Sequence, residues 1–140
     1  MAAHPRANYA DRPELFGDRK IVYGQTPQLI AQSRLVLSHA STAVGFAVMF
    51  RRPVMVIVTR DYYGFTPGLS MAFDQLAENL GTALHFIDDA DPPSLEHVMN
   101  VNSERYDRYI NRYVRHPSAS DKSLWNIIFD TLERDLSVRA

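Results

Sequence analysis

The chain has 140 residues, about one domain, and 46% of them are hydrophobic, so a single unit with a buried core is the expectation. A formal net charge of -1 argues against nucleic acid or an acidic membrane surface as the main partner, and the absence of cysteine excludes disulfides, thiolate catalysis and cysteine metal ligands. No apolar run approaches the roughly 20 residues of a membrane span and no basic-then-apolar leader opens the chain, which leads us to expect a soluble, cytoplasmic protein.

Residues 1–19 are polar, with Pro5, Pro13 and several charges, and read as loop with one helical turn over 13–16. His4, Pro5 and Arg6 arrive before any regular element, so the chain is expected to be a piece of a longer protein whose N-terminal half precedes it. A short strand is predicted over 20–23, stopped by Gly24. Thr26 then resembles an N-cap with Pro27 at the first helical position, where a missing N–H is harmless, and a helix over 27–32 follows.

Residues 35–58 organise the rest. Leu35, Val36 and Leu37 form one short apolar run and residues 54–58 a second, both rich in branched side chains, as in strands covered on both faces of a parallel sheet. Between them Val44, Ala47, Val48 and Phe50 make a helical stripe, Arg51 and Arg52 occupy its last turn, and Pro53 ends it. An aromatic loop over 60–69 leads to a helix over 70–80 closed by Gly81, a fourth strand over 83–87, an acidic turn, a short helix to Met99, and amphipathic helices over 102–114 and 121–137. Strands alternating with helices predict an α/β fold: a Rossmann-like parallel sheet flanked by helices, with C-terminal helices added. No repeat or second domain is visible within residues 1–140.

The chemistry concentrates at the carboxyl end of the first apolar run, where open α/β sheets bind ligands. His39, Ser41 and Thr42 lie there, and hydroxyls beside free N–H groups at a helix start suit a phosphate or diphosphate. Ser41 could equally do no more than cap its own helix. His4 and Arg6 would add an imidazole and a guanidinium suited to phosphate. Asp88, Asp89 and Asp91 read as a solvated turn ahead of metal ligands, and His97 and His116 lack metal-ligand spacing. Tyr106, Tyr109 and Tyr113 read as a packing stripe, and Arg105, Arg108, Arg112 and Arg115, interleaved with Glu104 and Asp107, as a solvated face. Neither a phosphate loop nor GxGxxG occurs.

The His4-Pro5 pair, followed after a strand and a helix by residues 41–54 (STAVGFAVMFRRPV), resembles the C-terminal half of GT-B glycosyltransferases that build bacterial surface polysaccharides such as capsule and lipopolysaccharide. The resemblance implies a donor-binding half-domain using a nucleotide sugar such as a CMP- or UDP-sugar, with no metal and no further cofactor. It implies donor-phosphate contacts from His4, Ser41 and Thr42, to which the chemistry of the residues themselves adds Arg6 and His39, and it places Gly24, Gln25 and Thr26 near the base and ribose. It assigns no catalytic base. A peripheral position at the inner membrane face would suit such an enzyme. Phe46 and Arg51 depart from the pattern, which has a glutamate and a glycine there. The alternatives are a nucleotide-sugar 2-epimerase on the same fold, and a non-catalytic α/β module that uses exposed apolar surface for partner binding or a homodimer.

Overall fold

The computed structural model describes residues 1–3, 8–9, 12–91 and 94–137. Three parallel strands form its sheet, β1 (Val36–Ser38), β2 (Val54–Val58) and β3 (Leu84–Phe86), in the order β1-β2-β3. Val36 pairs with Val54, and Val56 with both Ser38 and Leu84. The helices are α1 (Thr26–Gln32), α2 (Val44–Met49), α3 (Arg60–Gly64), α4 (Pro67–Leu80), α5 (Leu95–Val98), α6 (Ser103–Tyr109) and α7 (Leu124–Ser137). The chain therefore has the α/β class and flanked parallel sheet of a Rossmann-like half-domain.

The core follows from strand periodicity. Val54, Val56 and Val58 alternate along β2 and point one way. They meet Val44, Ala47 and Val48 of α2, Phe73, Ala77 and Leu80 of α4, Ile30 of α1 and Tyr106 of α6 in one cluster. Coverage of the other face is uneven. Met55 is buried, but its neighbour on edge strand β1, Leu37, is 60% exposed, so β1 lacks the two-sided cover expected of it.

The strand expected over 20–23 is reduced to a bridge. Val22 pairs in parallel with Ala2, its N–H donating to the Met1 carbonyl and its carbonyl accepting from Ala3, both at 2.9 Å. Only Ile21 and Val22 are apolar and aliphatic between Lys20 and the left-handed Gly24, too short a run to build a fourth strand.

Two helix ends share one device. After α4, Gly81 sits in the left-handed region at φ 68°, its N–H bonds the Glu78 carbonyl at 3.1 Å, and Thr82 bonds that of Ala77 at 3.0 Å. This is the Schellman arrangement, whose left-handed residue is usually glycine. After α2 the same pattern recurs: Arg51 bonds Val48 at 3.1 Å and Arg52 bonds Ala47 at 2.8 Å, with Arg51 at φ 55°. The glycine that the resembling pattern carries at this position is what such an end calls for. Here the arginine is held by its side chain, which donates to the Ser103 carbonyl at 3.3 Å and pairs with Asp107 of α6.

The aromatic segment expected as loop is partly helical, because the Thr59 hydroxyl accepts the Tyr62 N–H at 3.3 Å and starts α3. The helix expected over 102–114 is α6 running into a single π-helical stretch, Ile110–Val114. Along α7 the apolar side chains Leu124, Trp125, Phe129, Leu132 and Leu136 are all exposed, and none belongs to the core cluster. Among the described residues, no helix is long and apolar enough to cross a membrane.

Candidate functional site

In a parallel sheet every strand delivers its next residues to the same end. Here β1 delivers His39, Ala40, Ser41 and Thr42, β2 delivers Thr59 and Arg60, and β3 delivers Ile87, Asp88 and Asp89. The start of α1, with Gly24, Gln25 and Thr26, belongs to this end too, because α1 runs back toward the beginning of β1 and packs on α2.

The β1–α2 loop is held under strain. Ala40 has φ 46°, a left-handed conformation that costs a residue with a Cβ about 1 kcal/mol or more and that collects at functional loops. Behind it Ser38 is 3% exposed, and its hydroxyl has no hydrogen-bond partner among the described residues. His39 turns its ring against Tyr62 at 4.8 Å and Phe73 at 5.2 Å between centroids, which binds the loop to α3 and α4.

Ser41 and Thr42 are both exposed. The Ser41 hydroxyl accepts the Ala43 N–H at 3.2 Å, and the carbonyls of Ser41, Thr42 and Ala43 accept from Val44, Gly45 and Phe46 at 3.1, 3.2 and 3.0 Å. The amides of Ala43, Val44, Gly45 and Phe46 are thus engaged inside the chain. α2 begins at Val44, with Ala43, two residues after Ser41, in the cap position. What the loop carries at this end of the sheet is three exposed residues, His39, Ser41 and Thr42.

The structure brings His39, Ser41 and Thr42 together on one loop and puts Gly24, Gln25 and Thr26 at the same end of the sheet. Gly24 is left-handed at φ 69°, and Gln25, not Thr26, holds the cap position of α1. His4 and Arg6 lie outside the described residues.

Arg60 was not anticipated. Its backbone N–H donates to both Asp88 oxygens, at 3.2 and 3.0 Å, and its guanidinium grips Asp89 through Nε and Nη2 at 2.8 and 2.9 Å. It also lies 4.3 Å from the Phe86 ring centroid. The Asp88 and Asp89 carboxylates are therefore structural partners of Arg60, tying the ends of β2 and β3 together. The available signal was its place directly after an apolar strand. Nearby, Tyr63 donates to Asp74 at 2.8 Å, and that hydrogen bond raises the Tyr63 phenol above its ordinary range.

No family model, curated protein or solved structure matches the chain. The site is accordingly read from its own geometry. The exposed hydroxyl residues Ser41 and Thr42 and the imidazole of His39, on one strained loop at the carboxyl end of a parallel sheet, are groups that can accept and donate hydrogen bonds to a phosphate ester. With Arg60 committed to Asp89, the loop itself brings no free cation to that contact.

Proposed function

We propose that the chain is the donor-binding half of a nucleotide-sugar-dependent glycosyltransferase of bacterial surface polysaccharide synthesis. The observation that carries this reading is the strained β1–α2 loop, which gathers His39, Ser41 and Thr42 at the ligand-binding end of the sheet. In this reading the hydroxyls and the imidazole hold the donor phosphate, with His4 and Arg6 as further phosphate contacts. Gly24, Gln25 and Thr26 face the nucleoside. Stabilising the departing nucleotide phosphate is the chemical demand, and fixed donors meet it without a divalent ion. The acceptor and the catalytic base belong to a second half-domain.

Isothermal titration calorimetry with CMP and UDP tests the reading. Saturable binding of one of them is expected, weakened about tenfold or more in the Ser41→Ala, Thr42→Ala double variant. Failure of both nucleotides to saturate the folded protein would overturn it.

A second reading, a non-catalytic module that self-associates, is favoured by the exposed apolar stripe of α7. It predicts a concentration-dependent mass in sedimentation equilibrium together with no nucleotide binding.

A further inference from the structure

A cleft of about 550 Å³ opens between the last turn of α4 and the α6 helix with its π-helical extension. It lies away from the β1–α2 loop: α4 ends just before β3 begins, so its last turn sits at the opposite end of the sheet. Arg105, Arg108, Arg112 and His116 line it, with Glu78 as its single acidic residue among the described residues. Arg108, Arg112 and Arg115 are exposed, as a solvated face requires, and three of the series, Arg105, Arg108 and Arg112, also line this cleft.

The four basic side chains have different duties. Arg105 donates to the Glu78 carbonyl and packs against Gly81, so it is a fixed wall. Arg108 has only a loose contact with Glu104, 3.8 Å apart and exposed on both sides. Arg112 lies 5.3 Å from the Tyr113 ring centroid and, among the described residues, has no carboxylate partner. His116 Nδ1 is engaged by Ser118, 2.7 Å from its hydroxyl and accepting its backbone N–H at 3.2 Å, so Nε2 is the ring nitrogen left to meet a ligand. Tyr109 and Tyr113 supply an aromatic wall, their rings 4.9 Å apart and tilted by 48°, and Asn79 donates to the Tyr113 hydroxyl at 3.2 Å.

We propose that this cleft binds a phosphorylated small molecule, with Arg108 and Arg112 gripping the phosphate, His116 donating to it, and the two tyrosines flanking the remainder. Planar guanidiniums present paired donors that match phosphate oxygens, and an arginine with no internal carboxylate gives up no ion pair when it turns to a ligand. The volume falls in the range of small-ligand sites. The π-helical stretch is the kind of local departure that often accompanies a functional site, and here it carries Arg112 and Tyr113. The assignment stands apart from the proposed donor site, which shares none of these residues.

The test is calorimetric titration of pyrophosphate and AMP into the full chain at low salt, in the Ser41→Ala, Thr42→Ala background so that the donor loop does not contribute. Saturable binding is expected. Arg108→Ala with Arg112→Ala should weaken it about tenfold or more, and Arg108→Lys with Arg112→Lys should fall between the two, because charge is kept while the paired donors are lost. Both arginines are exposed, so far-UV circular dichroism should show every variant folded. Absence of saturation with both probes would overturn the proposal, as would binding indifferent to the arginine substitutions. Tighter binding of a single-stranded oligonucleotide than of pyrophosphate would reassign the cleft to nucleic acid.

Discussion

Arg51 should be more stable as glycine than as alanine. It is the left-handed residue of a Schellman end, a conformation that costs a residue with a Cβ about 1 kcal/mol relative to glycine, even after allowing for glycine's greater freedom in the unfolded chain. Its side chain offsets part of that strain through the Ser103 carbonyl and Asp107. The pair is about half exposed, 45% and 58% for the two side chains, so it contributes only about 0.2–1 kcal/mol. Arg51→Ala removes the pair and keeps the strain, for a loss of about 0.2–1 kcal/mol. Arg51→Gly removes both, for a net change near zero. Urea unfolding followed by circular dichroism should therefore place the glycine variant about 1 kcal/mol above the alanine variant. Asp107→Ala in each background should cost nothing further. A glycine variant no more stable than the alanine variant would refute the strain assigned to Arg51.

Gly81→Ala, at the equivalent end of α4, should destabilise by about 2 kcal/mol in the same assay, because the residue is left-handed and its new Cβ would lie 2.5 Å from Arg105 Cδ. Burial is the main cause that pushes the Tyr106 phenol up to about 12, and its hydroxyl donates to the Arg52 carbonyl at 2.9 Å. With the folded value above the unfolded one, its contribution is complete below about pH 10 and is lost as pH rises toward 12. Wild-type stability should accordingly fall more steeply than that of Tyr106→Phe between pH 10 and 12, after a deficit of about 1 kcal/mol for the variant at neutral pH. Parallel curves across that window would show that Tyr106 carries no such linkage. Phe73→Ala should cost about 3–5 kcal/mol, whereas Phe129→Ser on α7 should stay within about 0.5 kcal/mol, since Phe73 is fully buried and Phe129 is 61% exposed.

How much of this fold was legible in the sequence depends on whether the signal was local. The run 54–58 could only be an interior strand, and it became the middle of the sheet. Thr66, Pro67 and Gly81 carry capping chemistry that any helix of that length needs, and α4 obeys them, starting three residues earlier than its apolar pattern alone suggests. The segment 20–23 failed because its pairing partner is remote in sequence: Ala2 and Ala3 advertise nothing, and only the folded chain reveals the bridge to Val22. Leu37 failed for a related reason, since an apolar strand residue does not report whether its outer face will be covered.

The site was legible in position and not in detail. Counting from the end of β1 picks out His39, Ser41 and Thr42, because parallel strands end together whatever their side chains do. Which donors then face outward depends on the turns that lead into α2, and there the carbonyls of Ser41, Thr42 and Ala43 take up the amides of Val44, Gly45 and Phe46. The basic series along α6 shows the converse. Its spacing was visible, but interleaved Glu104 and Asp107 suggested neutralisation, and three-dimensional pairing decides otherwise. Asp107 is taken by Arg51 from α2, and Glu104 reaches Arg108 only at 3.8 Å. Arg112, four residues beyond Arg108, is left with an aromatic ring for company. Charge balance along a helix says little about charge balance in the cleft it lines, because the acids that neutralise a helix in sequence are free to serve another element in space.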